Sequence, residues 1–155
     1  MYRRTTRKVS SKFYSRVGDV IIPTSSEVAE NISSATCVML PGVILAGDLC
    51  IFRTSKVDGR FLSFAINHVA KEQMLKITQG ITIFHVRMRD LENIAISFPP
   101  MDEQIAIAQT LSDLDNNITN LKAEHAKISA IRSAAINDLL TGKIRLLRVH
   151  SASML

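Results

Sequence analysis

The feature that most constrains the fold is a long stretch, residues 101–141, that contains neither proline nor glycine. It follows Pro99-Pro100 and ends at Gly142. Two prolines favour extended backbone before the stretch, and the acids Asp102 and Glu103 complement the positive end of a helix without any catalytic role. Glycine is favoured at the left-handed position that closes a helix. The sequence therefore predicts one helix over residues 101–141, about 60 Å long.

The apolar residues of this helix recur in alternating steps of four and three if His125 and Arg132 occupy two of the positions. This spacing is typical of a coiled coil, and the helix is longer than a domain of this size is wide. We expect it to pair with another helix, preferably antiparallel. Packing of the same face back onto the rest of the chain is the alternative. The predicted helix-pairing seam consists of Ile107, Leu111, Leu114, Ile118, Leu121, Ile128, Ala135 and Leu139.

The preceding residues predict a β-rich globule. Gly18-Asp19 and Gly47-Asp48 each form a turn signal before a short apolar run, and a further strand is expected within residues 36–40. Helical spacing then extends from Phe61 to about Thr78.

After this helix we expect a strand at residues 81–86 and a last strand around Ile94 and Ile96. The fold class is therefore α+β. The domains predicted are a globule at residues 1–100, the helix at 101–141 and a basic tail at 142–155.

The net charge of +5 is concentrated at the front of the chain, because residues 1–16 contain six bases and no acid. Such a cluster suits the phosphate backbone of DNA, although a solvated terminus is equally consistent with it. A smaller basic cluster, Lys143, Arg145 and Arg148, lies in the tail. The predicted phosphate contacts at the front are Arg3, Arg4, Arg7 and Lys8.

The segment between the predicted helix and the strand at residues 81–86 combines one lysine with amide and hydroxyl side chains. Glutamine and threonine can contact base edges, whereas lysine contacts phosphate. A helix cap at Gly80 with solvated neighbours is the alternative. Two arginines beyond it would project to one side if the strand continued, either towards DNA or simply into solvent. The predicted DNA-binding residues of this region are Lys76, Thr78, Gln79, Thr82, Arg87 and Arg89.

The residue types of an active site occur in no catalytic pattern. The 4 histidines lack the paired spacing of metal ligands, and the sequence has no glycine-rich phosphate loop or nucleophile elbow. Cys37 and Cys50 are predicted to be packed thiols. No apolar run approaches the roughly 18 residues of a membrane span. We therefore expect a cytoplasmic protein that is not an enzyme and has neither metal nor cofactor.

The run from Leu91 to Gln104, then Leu111, Leu114-Asp115 and the closing residues 139–145, resembles one known family. It is similar to the end of a target recognition domain and the conserved helix of a type I restriction-modification DNA specificity subunit. The resemblance covers about residues 88–146 and, more loosely, residues 17–87.

The resemblance implies a non-catalytic subunit that reads double-stranded DNA and bridges methyltransferase and restriction subunits. A complete subunit of this family has two recognition domains and two such helices, so this chain resembles a half subunit truncated at its N-terminal side. It would form a homodimer or pair with a second specificity half. The alternative is an interaction module that dimerises through its helix and no longer reads DNA.

Overall fold

The structure is a computed structural model that describes residues 9–32 and 34–147. The chain forms two compact units, Met1–Thr110 and Leu111–Leu155. The candidate contacts Arg3, Arg4, Arg7 and Lys8, and Arg148 of the tail, lie outside the described residues. After a 3-10 turn at Ser11–Phe13, the elements are β1 (Val20–Pro23), β2 (Ser25–Ser26), α1 (Ala29–Ile32), β3 (Thr36–Cys37), β4 (Leu49–Phe52), α2 (Gly59–His68), α3 (Lys71–Ile77), β5 (Phe84–His85), α4 (Met88–Leu91) and α5 (Met101–Leu140).

The first unit contains two antiparallel sheets. Strands β3, β1 and β4 lie side by side in that order, with Val20 of β1 opposite Cys37 on one side and Phe52 on the other. Strands β2 and β5 form the second sheet. The α+β fold class and the strands after both Gly-Asp turns are confirmed, although the run at 36–40 is a strand only at residues 36–37.

The hydrophobic core lies between the larger sheet and the helices α2 and α3. Alternate residues of β1, Val20 and Ile22, are buried. This alternation follows from the two-residue period of a strand, which places one face on the core. Leu62, Ile66 and Met74 complete the opposite wall from α2 and α3.

The prediction of one helix from Phe61 to Thr78 was wrong, because the chain turns between α2 and α3. A continuous helix would place Val69 on the same face as Leu62 and Ile66. Val69 is instead 70% exposed, and Ala70 is fully buried. The break shifts the buried face by one residue and brings the unbranched side chain of Met74 into the core.

The strands expected after α3 were largely wrong. The run at 81–86 is a strand only at Phe84–His85, and residues 94–96 have no regular structure. The side chain of Gln73 makes hydrogen bonds with both backbone polar groups of Ala95. Nε2 of Gln73 donates to the carbonyl of Ala95, and Oε1 of Gln73 accepts from the N–H of Ala95, each at 3.1 Å. The backbone groups that a neighbouring strand would need are therefore already used.

The long helix was predicted correctly, since α5 spans 40 residues, Met101–Leu140. Gly142 closes it with φ 71°, and its N–H donates to the carbonyl of Leu139 at 3.2 Å. The N–H of Ile144 reaches back to the carbonyl of Asp138 at 3.0 Å. These contacts satisfy carbonyls that a helix end leaves without partners. Within the described residues, no helix is both long and apolar enough to cross a membrane.

Candidate DNA-facing hairpin and helix-pairing face

The start of α5 is attached to the first unit through Gln104, which is 3% exposed. Its Nε2 donates to the carbonyl of Pro99 at 2.8 Å, and its Oε1 accepts from the N–H of Asp58 at 3.0 Å. Asp58 is also the N-cap of α2, since its Oδ1 accepts from the N–H groups of Arg60 and Phe61. A buried amide is stable only with its hydrogen bonds made, so these contacts hold the first turn of α5 against α2.

The residues of α5 that belong to the first unit bury a face that differs from the predicted seam. Ala108 is fully buried one turn after Gln104, whereas the seam residue Ile107 is only half-buried. The sequence analysis included Gln104 in the run from Leu91 to Gln104 but predicted no contact for it. In the sequence, Gln104 is a polar residue one turn before a small alanine, and exposed helices show the same pattern.

The predicted DNA-contacting segment forms a short hairpin between α3 and α4. Its base is closed by two hydrogen bonds, from the N–H of His85 to the carbonyl of Gln79 at 2.8 Å and in the reverse direction at 3.0 Å. Gly80 lies just inside the base with φ 140°, and an added Cβ would lie 2.0 Å from the carbonyl oxygen of Ile83. The tight tip therefore requires glycine.

The structure brings four predicted DNA contacts to α3 and this hairpin. Lys76 is exposed in the last turn of α3, and Gln79 and Thr82 are exposed on the hairpin. Thr78 is different: it is half-buried, and its hydroxyl donates to the carbonyl of Met74 at 2.8 Å. Thr78, not Gly80, caps α3, so the alternative of a cap at Gly80 was wrong.

The tip of the hairpin also presents an apolar residue that sequence reasoning did not select. Ile81 is 95% exposed, the highest exposed fraction among the large apolar side chains described. Its only sequence signal was its place beside Gly80 in a β-prone run.

The two arginines beyond the hairpin do not lie on a continuing strand, so the condition under which they would project to one side is not met. Arg87 is the N-cap residue of α4, and Arg89 lies within that helix. The side chain of Arg89 is 70% exposed and its Nε lies 3.8 Å from Asp90. Together with Lys76, these arginines place exposed positive charge on the elements that flank the hairpin.

An ion pair between the buried Asp19 and the exposed Arg53 holds the first Gly-Asp turn. Asp19 is 1% exposed and accepts hydrogen bonds from Nε and Nη2 of Arg53 at 2.7 and 2.6 Å. The N–H of Arg16 donates a third bond at 2.8 Å. The hydrogen bonds from Arg53, more than any other cause, lower the pKa of the Asp19 carboxyl, because they favour its charged form.

The predicted helix-pairing face is exposed over most of its length. In the second unit Leu114, Ile118, Leu121 and Ile128 are between 47% and 64% exposed. The polar seam residues His125 and Arg132 are exposed as well, as are Ala135 and Leu139. Ile131 and Ile136, which the seam omitted, are exposed beside Arg132.

Among the described residues, no group of three or more His, Cys, Asp or Glu side chains could hold a metal ion. Burial raises the pKa of the Cys37 and Cys50 thiols, which disfavours the reactive thiolate. An apolar cavity of about 460 Å³ in the first unit is lined by residues such as Phe52, Met74 and Phe98, none of them titratable.

Comparison with known proteins places these features in one family. The family described as Type I restriction modification DNA specificity domain matches residues 5–130, which include both the hairpin and most of α5. The specificity subunit of the type I restriction enzyme MjaVIII from Methanocaldococcus jannaschii is 34% identical over 96 residues, 61% of this chain and 23% of that protein. The putative MjaX specificity subunit of the same organism is 34% identical over 90 residues, 58% of this chain and 21% of that protein.

A solved structure has a similar fold. It is the crystal structure of a type I restriction-modification system S subunit from M. genitalium, with a TM-score of 0.60 and 20% sequence identity over 83% of this chain and 34% of that one. This chain spans about a fifth to a quarter of the length of the Methanocaldococcus relatives. Because the family match extends over more than half of its residues, the chain belongs to the type I restriction modification DNA specificity domain family.

Proposed function

We propose that this chain is a non-catalytic DNA sequence-specificity subunit, or one half of such a subunit, in a type I restriction-modification system. The first unit faces the major groove of double-stranded DNA. The helix α5 keeps two recognition domains apart and offers a docking surface to methyltransferase subunits, while restriction subunits join the assembled complex.

The observation that carries this proposal is the exposed hairpin between α3 and α4. Its side chains Gln79 and Thr82 have the donors and acceptors that contact base edges. Lys76, Arg87 and Arg89 surround it with positive charge suited to phosphates. The two hydrogen bonds between Gln79 and His85 that close the base of the hairpin support this role, since a loop held in one conformation loses less entropy on binding.

The helix supports the second part of the proposal through its length and its exposed seam. A straight helix of 40 residues extends about 60 Å, close to the rise of about 18 base pairs of duplex DNA. Such a spacer can set the separation of two recognition sites on DNA. The basic cluster Arg3, Arg4, Arg7 and Lys8 is proposed to add phosphate contacts that do not depend on sequence.

A second candidate function, an interaction module that pairs through α5 and does not read DNA, is favoured by the exposed seam alone. The deciding experiment is duplex binding by the chain assembled with its methyltransferase subunits, across a randomised DNA library and several salt concentrations. A specificity subunit gives a defined preferred sequence and a steep salt dependence. Equal binding of all sequences by that complex would favour the interaction module.

A further inference from the structure

The tip of the hairpin between α3 and α4 leaves one large apolar side chain almost completely in solvent. Ile81 is 95% exposed, so it takes almost no part in the burial of apolar surface that stabilises the fold. Single exposed apolar residues are common on proteins, and their surroundings decide what they imply. Here the neighbours are the exposed polar side chains of Gln79 and Thr82.

The hairpin presents Ile81 with little conformational freedom. The two backbone hydrogen bonds between Gln79 and His85 close the loop that contains it. Isoleucine is branched at Cβ, which restricts its first side-chain torsion. A contact made by Ile81 therefore loses less entropy than one made by a flexible side chain on an open loop.

The chain on both sides of the tip contains basic residues without acidic ones. Residues 73–89 include Lys76, Arg87 and Arg89 but neither aspartate nor glutamate. All three basic side chains are exposed. Such a setting favours an anionic partner, and the phosphates of DNA supply dense negative charge. The surroundings of Ile81 thus favour DNA over another protein as the partner that covers it.

The width of the hairpin favours the major groove of DNA. Neighbouring strands lie about 4.8 Å apart, and their side chains widen the ribbon further. The major groove is about 12 Å wide and admits a two-stranded ribbon, whereas the minor groove is only about 6 Å wide. A hairpin that enters the major groove tip first brings Ile81 to the base edges.

One base offers an apolar group in that groove. The base edges present hydrogen-bond donors and acceptors, and among the four bases only thymine adds a methyl group. Gln79 and Thr82 have side chains that can pair with the polar groups. Ile81 can form no hydrogen bond through its side chain, so the thymine methyl is the group on the base edges that matches it.

We propose that Ile81 is a specificity-determining residue that packs against the 5-methyl group of a thymine in the recognised DNA sequence. The proposal rests on the DNA-reading role given under the proposed function. It adds a base that the target contains and the side chain that reads it.

The experiment uses the full chain assembled with its methyltransferase subunits and the duplex that this complex selects from a randomised library. Each thymine of that duplex is replaced in turn by deoxyuridine, which lacks only the 5-methyl group. Replacement at one position should raise the dissociation constant about fourfold, the effect of removing one methyl-sized group from an apolar contact.

Variants of the chain assign the effect to Ile81. Ile81→Ala should weaken binding of the thymine duplex and reduce the difference between thymine and uracil to less than about 1.5-fold. Ile81→Val keeps a branched apolar side chain and should keep a difference above about twofold. Neither substitution changes a charge, so the slope of log affinity against log salt should remain the same.

Val69→Ala is the matched control. It trims another exposed apolar side chain of the first unit, between α2 and α3, and should retain the difference of about fourfold. Circular dichroism of every variant checks the fold. Sedimentation checks assembly with the methyltransferase subunits, which Ile81→Ala should leave unchanged.

Four results would overturn the role of Ile81 alone. The first is a selected sequence in which no thymine is sensitive to uracil, and the second is a uracil effect that persists in Ile81→Ala. The third is an equal loss by Ile81→Ala on both duplexes, as expected of a wedge between base steps. The fourth is a loss of assembly, which would make Ile81 a protein contact. Equal binding of all sequences by the unmodified complex would instead contradict the proposed function, and this proposal with it.

Discussion

The side chain of Gln104 binds the backbone of Asp58 from the first turn of α5, with the N–H of Asp58 donating to Oε1 at 3.0 Å. The carboxylate of Asp58 meanwhile caps α2. Gln104, which is almost fully buried, thus joins the start of α5 to the start of α2. The orientation of this first turn within the first unit depends on that contact.

Replacing Gln104 by alanine should lower the free energy of unfolding by about 1 to 3 kcal/mol, because the N–H of Asp58 loses its hydrogen-bond partner in a buried place. Urea unfolding followed by circular dichroism measures the change. Asn120→Ala, which removes an exposed amide side chain from the same helix, is the matched control and should change stability by no more than about 0.5 kcal/mol. Equal effects of the two substitutions would contradict a special role for Gln104.

Asp19→Asn should destabilise the first unit at neutral pH by about 2 kcal/mol, since it removes charge-assisted hydrogen bonds from Arg53. The pKa of Asp19 is lowered below its ordinary value of 3.8 in the folded protein. The stability from this group is therefore present above about pH 4 and is lost as the pH falls through the lowered pKa.

The difference between the original chain and Asp19→Asn should accordingly shrink as the pH falls below about 4. Urea unfolding at pH 7 and at acidic pH measures it. Arg53→Gln removes the same pair from the other side and should reproduce both the loss and the flattened pH profile. A loss at neutral pH for only one of the two variants would show that the ion pair is not its cause.

Gln79→Ala should weaken preference at one base-pair position by about 1 to 3 kcal/mol while leaving non-specific DNA binding nearly intact. The measurement is a library-based binding profile of the complex with methyltransferase subunits. Asn120→Ala again serves as control, because it removes an exposed amide side chain far along the chain from the hairpin. An unchanged profile in the Gln79 variant would remove this residue from the set of DNA contacts.

Removal of the positive charges at Arg3, Arg4, Arg7 and Lys8 should reduce the slope of log affinity against log salt by as much as about 3.6. Each phosphate contact releases counterions, so the slope reports how many of the four bases bind DNA. Binding at several salt concentrations with one duplex measures it. The control replaces Lys122 and Lys127 of α5; if the front variant keeps the original slope, these bases are only part of a solvated terminus.

Local signals determined the long helix and its seam. Pro99-Pro100, Asp102 and Gly142 act through their own backbone conformations or through the nearest turn of helix, so no distant contact is needed to interpret them. The strands after the two Gly-Asp turns were predictable for the same reason. The seven-residue spacing of the seam is likewise a property of the sequence alone.

Contacts between distant residues decided the rest. The turn at Val69 and Ala70 exists because Met74 packs in a core shared with β1. The backbone at Ala95 is irregular because Gln73 binds it from α3. In each case a partner more than twenty residues away in sequence, or a core built from several elements, overrides the local preference.

The residues of the candidate site also fall into those that the sequence indicated and those whose role depends on packing. Composition indicated Lys76, Gln79 and Thr82, since their side-chain chemistry is independent of fold. Only the tertiary structure decided that the hydroxyl of Thr78 is occupied by a hydrogen bond to Met74 and that Gln104 is buried against Asp58. It also decided that Arg87 caps α4 and that Arg89 lies within it. Sequence determines which groups a chain can offer, but the packing of distant elements determines which of them remain exposed to a partner.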